Sequence, residues 1–180
     1  KGALVTGGAI RIGRALSLAL AEDGYFVFVH HHSSAVEANR TVADIVAAGG
    51  RARAVRADLS SARQAAALVD RCRVPGVRLT CLVNSASLFK LDRAPFATAE
   101  DFDRHMAINL KAPMLLSQAL ARQLPDGETG VIVNLLDQKL FNLNPDFLTY
   151  TLSKIGLQGL TTVLAQALAP RLRQDRGQSL

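Results

Sequence analysis

The sequence predicts an α/β fold, a doubly wound parallel sheet flanked by helices on both faces, and three observations predict it. Short β-branched or apolar runs alternate with longer stretches of helical period, the pattern of successive βαβ units. Several of the runs are almost continuously apolar, as strands covered on both faces must be. The first run leads at once into a glycine-rich turn and then a helix. At 180 residues, 49% hydrophobic and 20% charged, the chain is expected to form a single domain over 1–180 with a core of its own. Disorder, collagen-like order and a disulfide scaffold are excluded.

The strand candidates are 3–6, 25–30, 52–55, 79–84 and 131–135. A helix over about 12–23 follows the first strand and is punctuated by Gly24. Ser34-Ala35-Val36-Glu37 reads as a capping box, in which the serine oxygen accepts the Glu37 amide and the carboxylate returns to the cap amide. Gly49-Gly50 closes that helix. A looser relative of the box, Thr98 to Asp101, opens a helix over 98–123 that stops before Pro125-Asp126-Gly127, and a last helix over 150–169 is stopped by Pro170. Sheets of this kind bind ligands at the carboxyl ends of their strands, near the point where the strand order reverses.

Composition narrows the function. The formal charge of +6 comes from 21 basic and 15 acidic side chains scattered along the chain, so no nucleic-acid groove is indicated. With no Trp and two Tyr, platforms for single-stranded nucleic acid are scarce as well. Cys72 and Cys81 have no partners at metal-ligand spacing and read as ordinary thiols in a reducing compartment. No run is long enough to span a bilayer and no signal layout is present, so the expected location is cytoplasmic.

The turn Thr6-Gly7-Gly8-Ala9-Ile10-Arg11-Ile12-Gly13 stands between the first strand and the first helix. A side chain at Gly7 would obstruct a tight turn or the approach of a pyrophosphate, and the helix behind it offers free amides and a positive dipole end. A dinucleotide fits there. An acid at the end of the second strand would accept from a ribose 2′-hydroxyl and repel a 2′-phosphate. Here that end reads His30-His31-His32-Ser33-Ser34, without a carboxylate, and Arg11 can supply a countercharge, so NADPH is preferred over NADH. The three histidines are no metal site, because successive strand residues point to opposite faces.

Tyr150 and Lys154 lie one turn apart on one helix face. The ammonium, with an oxidised nicotinamide, is expected to lower the phenol pKa and make it a usable proton donor or acceptor. Together with the glycine turn, five strand patterns and Asn109 in the preceding helix, this pair makes the chain resemble the short-chain dehydrogenase/reductase family over essentially its whole length. The resemblance implies that Gly7, Arg11, Ile12, Gly13, His32, Ser33 and Ser34 serve the cofactor. It places Asp58 and Leu59 at the adenine and has Asn84, Ser85 and Ala86 line the cofactor. Asn109 then supports a proton-relay water, and Lys154 also holds the nicotinamide ribose. A homotetramer built partly on the two long helices is implied too.

One departure points to a subgroup. Where most members carry a catalytic serine upstream of the tyrosine, this chain has Asp137. With Arg11, the His-x-His element and Phe89, that aspartate resembles the pteridine reductases, in which a phenylalanine stacks the pterin against the nicotinamide. The subgroup implies a substrate site of Arg11, Ser87, Phe89, Asp137 and Tyr150, with Asp137, Tyr150, Lys154 and Asn109 as the catalytic set. A flat, amide-rich pterin does call for an aromatic face and convergent polar groups. Phe89 is also open to reading as loop packing, Asp137 as a turn cap, and His105 as a helix-surface or interface residue. The subgroup often has Arg where Ser33 stands. The family continues beyond Pro170-Arg171-Leu172-Arg173 with a further strand, a substrate loop and a last strand, which are expected to be missing from this chain.

The expected function is therefore NADPH-dependent reduction of a pterin or folate-like small molecule through a Tyr/Asp/Lys relay. A short-chain carbonyl or oxoacyl reductase, and a catalytically inactive cofactor-binding regulatory subunit, stay open as alternatives.

Overall fold

In the computed structural model, which describes residues 1–177, six parallel strands form one sheet in the order β3-β2-β1-β4-β5-β6. They are β1 (Gly2–Thr6), β2 (Phe26–His31), β3 (Arg51–Arg56), β4 (Leu79–Asn84), β5 (Gly130–Leu135) and β6 (Leu172–Gly177). The order reverses between β1 and β4, the two strands whose carboxyl ends carry Thr6 and Asn84 in register. That is the switch point at which a Rossmann-type sheet opens a crevice. Residues 178–180, the end of the expected 1–180 domain, lie outside the described residues.

Alternation along the strands builds two cores. Ala3, Val5, Val27, Val29, Cys81 and Val83 face Ala21 of α1 (Arg11–Glu22) and Ala38 and Ile45 of α2 (Ala35–Ala47). Leu4, Phe28, Leu82 and Ile132 face the other way, onto Ala65 and Leu68 of α3 (Ala62–Leu68) and Leu116 and Leu120 of α5 (Ala112–Gln123). Burial on both faces leaves the sheet little freedom to shift, which fixes where the strand ends stand. Cys72 and Cys81 are free and buried, and burial pushes their thiols up to about 12 and about 11.

Three local expectations change. Ser34 does precede α2, but its ψ of 57° takes it out of the extended conformation that a capping hydroxyl needs, and its side chain makes no cap bond. Thr98 behaves as expected, accepting the Asp101 amide at 3.1 Å. The segment 98–123 is not one regular helix: α4 (Ala99–Met106) and α5 are joined by a π turn, Ala107–Lys111, in which the Ala112 amide reaches back to the Ala107 carbonyl. Pro113 explains it, since its ring has no N–H for the Asn109 carbonyl and clashes with it, so the coil widens there. A sixth strand, β6, forms where the family's further strand was expected to be missing, pairing with β5 from Gly130↔Leu172 to Leu135↔Gly177. Its composition, Leu-Arg-Gln-Asp-Arg-Gly, lacks any strand pattern, whereas the open edge of β5 offers a row of backbone donors and acceptors. The last helix, α6 (Leu148–Leu168), ends just before Pro170.

Among the described residues no helix is long and apolar enough to cross a membrane.

Candidate active site

The glycine turn is locked against the end of β4. Gly7 has φ +64°, and a Cβ on it would stand 3.0 Å from the Ala86 Cα. A Cβ on Gly13 would fall 2.1 Å from the Gly7 carbonyl oxygen, so this position admits no side chain at all. Thr6 makes the tie: its hydroxyl donates to the Val83 carbonyl at 3.3 Å and accepts the Ser85 and Ala86 amides at 3.0 and 3.1 Å. Behind the turn, α1 starts with no side-chain cap and no acidic residue in its first turn, leaving its amides for an external anion. Such a cradle fits the pyrophosphate of a dinucleotide. Arg11 stands beside it in the left-handed region, φ +50°, a conformation that costs a non-glycine residue.

His30, which the sequence reading placed at the carboxylate-free end of the second strand and rejected as a metal ligand, braces this turn. Its Nδ1 accepts the Gly7 amide at 3.1 Å, and its Nε2 lies 3.1 Å from the Ala57 carbonyl, so Nε2 carries the proton. Burial pushes its pKa down to about 4, keeping it neutral and able to accept. Outward along the same ends, His32 and Ser33 are exposed and Ser34 is half-buried. The Asp58 carboxylate accepts the Ser60 amide and hydroxyl at 2.9 and 2.7 Å, which with nearby His32 holds it below the usual carboxylate range. Leu59 is buried in the core rather than presented on the surface.

A cleft of about 370 Å³ opens beside the turn, lined by Gly7, Arg11, Ile12 and Gly13 on one side and by Asp137, Tyr150 and Lys154 on the other, with Ser85, Ala86, Ser87 and Phe89 between. The structure thus brings together most of the expected site residues. His32, Ser33, Ser34, Asp58 and Leu59 stand outside this lining, as do Asn84 and Asn109, which are buried behind it. Asn84 donates to Asn134 at 2.7 Å and so ties β4 to β5. Asn109 bonds directly to the Leu88 amide and carbonyl, at 2.8 and 2.9 Å, and to Ser153, at 2.9 Å, and accepts the Ser87 hydroxyl at 3.3 Å. It therefore holds the backbone just ahead of Phe89.

At the reactive end the Tyr150 hydroxyl donates to Asp137 Oδ2 at 2.6 Å, while Asp137 Oδ1 accepts the Lys139 amide at 2.8 Å. The turn-cap reading of Asp137 is met on Oδ1, and Oδ2 is in hydrogen-bond contact with the Tyr150 hydroxyl. Lys154 donates to the Leu135 carbonyl at 2.8 Å, and its ammonium lies 5.7 Å from the Tyr150 ring centre. Burial pushes Lys154 down to about 8, partly offset by Asp137. A lowered Tyr150 was expected from Lys154 with an oxidised nicotinamide; the chain's own groups shift it the other way, burial first and then the hydrogen-bonded Asp137 charge raising the phenol, with Ser87 pulling weakly against them. Tyr150 is therefore a protonated donor whose partner is a carboxylate.

Phe89 has a backing that the sequence did not suggest. Its ring stacks on Phe147 at 4.3 Å and 7°, and it meets the Tyr150 ring edge-on at 4.7 Å. The Lys139 ammonium lies 4.8 Å from the Phe147 centre on this stack. Phe147 carried no local signal beyond standing three residues before Tyr150. His105 is not a surface residue: it is completely buried. Among the described residues no group of three His, Cys, Asp or Glu side chains stands together as metal ligands.

Comparison with known proteins agrees with this geometry. The family model described as short chain dehydrogenase matches residues 1–173. An uncharacterized oxidoreductase of Methylorubrum extorquens is 38% identical over 171 residues, 95% of this chain and 68% of that protein. A 3-oxoacyl-[acyl-carrier-protein] reductase of Synechocystis is 32% identical over 169 residues, 94% of this chain and 68% of that protein. Among solved structures, the FolM alternative dihydrofolate reductase 1 of Brucella suis, in complex with NADP, superposes with a TM-score of 0.92 at 40% identity, covering 97% of this chain and 73% of that one.

Proposed function

The chain belongs to the short-chain dehydrogenase family, and from that premise we propose that it is an NADPH-dependent reductase of a pterin or dihydropterin ring. The observation that carries this reading is the 2.6 Å hydrogen bond from Tyr150 to Asp137, set at the edge of an aromatic platform formed by Phe89 on Phe147. A ketone needs one proton donor and no carboxylate beside it. A heterocycle with ring nitrogens and an amide edge uses both, one to protonate and one to pair. The likeness to a dihydrofolate reductase solved with NADP supports the same assignment.

Bound NADPH supplies the hydride; the remaining work falls to this chain. Gly7, Gly13 and the free amides of α1 receive the phosphates, and Arg11 and Lys154 add positive charge at the two ends of the cleft. Phe89 orients the substrate ring by stacking, which converts binding into alignment. Tyr150 gives up its hydroxyl proton, and the Lys154 ammonium, 5.7 Å from its ring, offsets the charge that develops there. A phenolate next to the Asp137 carboxylate is strongly disfavoured, so the half-exposed Asp137 passes a replacement proton from solvent to Tyr150. The exposed Leu152, Ile155 and Val163 of α6 support a homotetramer assembled on this helix.

A second reading, reduction of an oxoacyl or other carbonyl group, is favoured by the likeness to the Synechocystis 3-oxoacyl reductase. Steady-state NADPH oxidation decides between them. The proposal expects turnover with dihydrobiopterin or dihydrofolate at a kcat/KM well above that with ketones or an oxoacyl thioester. Turnover with the carbonyl compounds alone rejects it.

A further inference from the structure

A second set of polar side chains is sealed behind Tyr150, and the proton relay uses none of it. Asp92, in the segment after Phe89, is 8% exposed; Thr149, at the start of α6, is 3% exposed; His105, in the last turn of α4, is 0% exposed. The Thr149 hydroxyl donates to Asp92 Oδ2 and lies 2.8 Å from His105 Nδ1. The Thr149 amide donates to both Asp92 carboxylate oxygens at 3.3 and 3.2 Å, and the Phe147 amide donates to the Asp92 main-chain oxygen at 2.9 Å.

The proton count fixes the directions. A hydroxyl has one proton, and Thr149 gives it to the carboxylate. His105 Nδ1 must then be the donor, shared between the Thr149 oxygen and the Asp101 carbonyl at 2.8 Å. Nδ1 therefore carries a proton, and Nε2 is left buried without a partner among the described residues.

The arrangement answers a need of α6. Its capping residue, Phe147, is left-handed at φ 61° and makes no side-chain cap bond, so this helix cannot cap itself. Asp92 supplies from a distant segment both the missing acceptor and a negative charge at the positive end of the helix. The ion pair of Arg93 with Asp146, at 2.9 Å, fastens the same two segments on their outer side. Phe89 lies three residues before Asp92 and stacks on Phe147; Tyr150 directly follows Thr149.

We propose that Asp92, Thr149 and His105 are positioning residues that clamp the segment carrying the Phe89 platform to the first turn of α6, so that the stacking face and the proton-donating hydroxyl form one rigid unit. The clamp rests on the proposed function, which makes Phe89 and Tyr150 the working groups.

The test uses the NADPH-bound protein and the variants D92N, T149V and T149S. Amide hydrogen exchange is followed in 88–92 and 148–152, His105 is read by ¹⁵N NMR in the unmodified protein, and kcat and KM are measured with a dihydropterin. The clamp predicts a proton on His105 Nδ1. D92N and T149V raise exchange in both segments together and lower kcat by roughly tenfold to a hundredfold, with NADPH affinity held within about twofold. T149S, which keeps the hydroxyl, restores exchange and kcat. A His105 without a proton on Nδ1, exchange raised in one segment only, or kcat held within about twofold while both segments loosen overturns the clamp. The NMR readout needs no variant to fold. If the unmodified protein turns over no dihydropterin, the substrate reading fails, while NMR and exchange still decide the clamp.

Discussion

Replacing Asp137 by Asn removes one negative charge while keeping the shape of the side chain. In the native site Oδ2 accepts from Tyr150 at 2.6 Å and Oδ1 from the Lys139 amide at 2.8 Å. An asparagine has one oxygen for two donors, so either Tyr150 or Lys139 meets an N–H group instead. The Lys139 bond belongs to the backbone turn Gln138–Leu140, and keeping it turns the amide nitrogen toward the phenol. Tyr150 then loses a charge-assisted hydrogen bond, worth about 1.5–3 kcal/mol, and the carboxylate that reloads it. That corresponds to roughly tenfold to 150-fold in rate for a step that needs the proton, within the range general acid catalysis supplies. The phenol pKa moves down toward its ordinary value, because the second and third causes of its elevation both come from Asp137. The assay is kcat with a dihydropterin at saturating NADPH, with NADPH affinity measured separately by fluorescence. Retention of kcat within about threefold, with unchanged KM, refutes the assignment of Asp137 to the relay.

The Lys154 ammonium, pushed down to about 8, predicts that NADPH affinity falls as pH rises through about 8 while the lysine loses its charge. Its effect on stability has the opposite sign: between about 8 and 10.5 the unfolded chain keeps a proton that the folded protein has lost, so this group makes stability rise with pH there, as urea unfolding across that range checks. Gly13→Ala places a Cβ 2.1 Å from the Gly7 oxygen, so the turn must open; NADPH binding is lost and stability falls by about 1–3 kcal/mol, read by titration and thermal melting. Arg11→Gly relieves a φ of +50° and raises stability by about 1 kcal/mol in the same melt, yet weakens NADPH more than NADH.

What could be read from the sequence was whatever a residue states about its own neighbourhood. Leu4, Leu82 and Ile132 alternate with residues of the opposite face, so both cores and the strand ends were legible. Gly7 and Gly13 were legible because only glycine fits a backbone so close to another backbone. The rest depends on what lies across the fold. Strand β6 is recruited by the edge of β5 and not by its own side chains. His30 and Gly7 are neighbours only because β1 and β2 pair, and Asp92 caps α6 from 57 residues away. The direction of the Tyr150 shift was not legible because burial, its largest cause, and then the hydrogen bond to Asp137 are both set by the fold. Pro113 did carry its signal in the sequence, since a proline there must disturb the coil around Asn109.

The crystal structure of this protein with NADPH and a dihydropterin is the most direct test of the substrate reading. A pterin ring lying in van der Waals contact between Phe89 and the nicotinamide, with Tyr150 and Asp137 on its nitrogen-bearing edge, is the predicted result. A ring bound away from Phe89, or one whose edge meets neither Tyr150 nor Asp137, contradicts it.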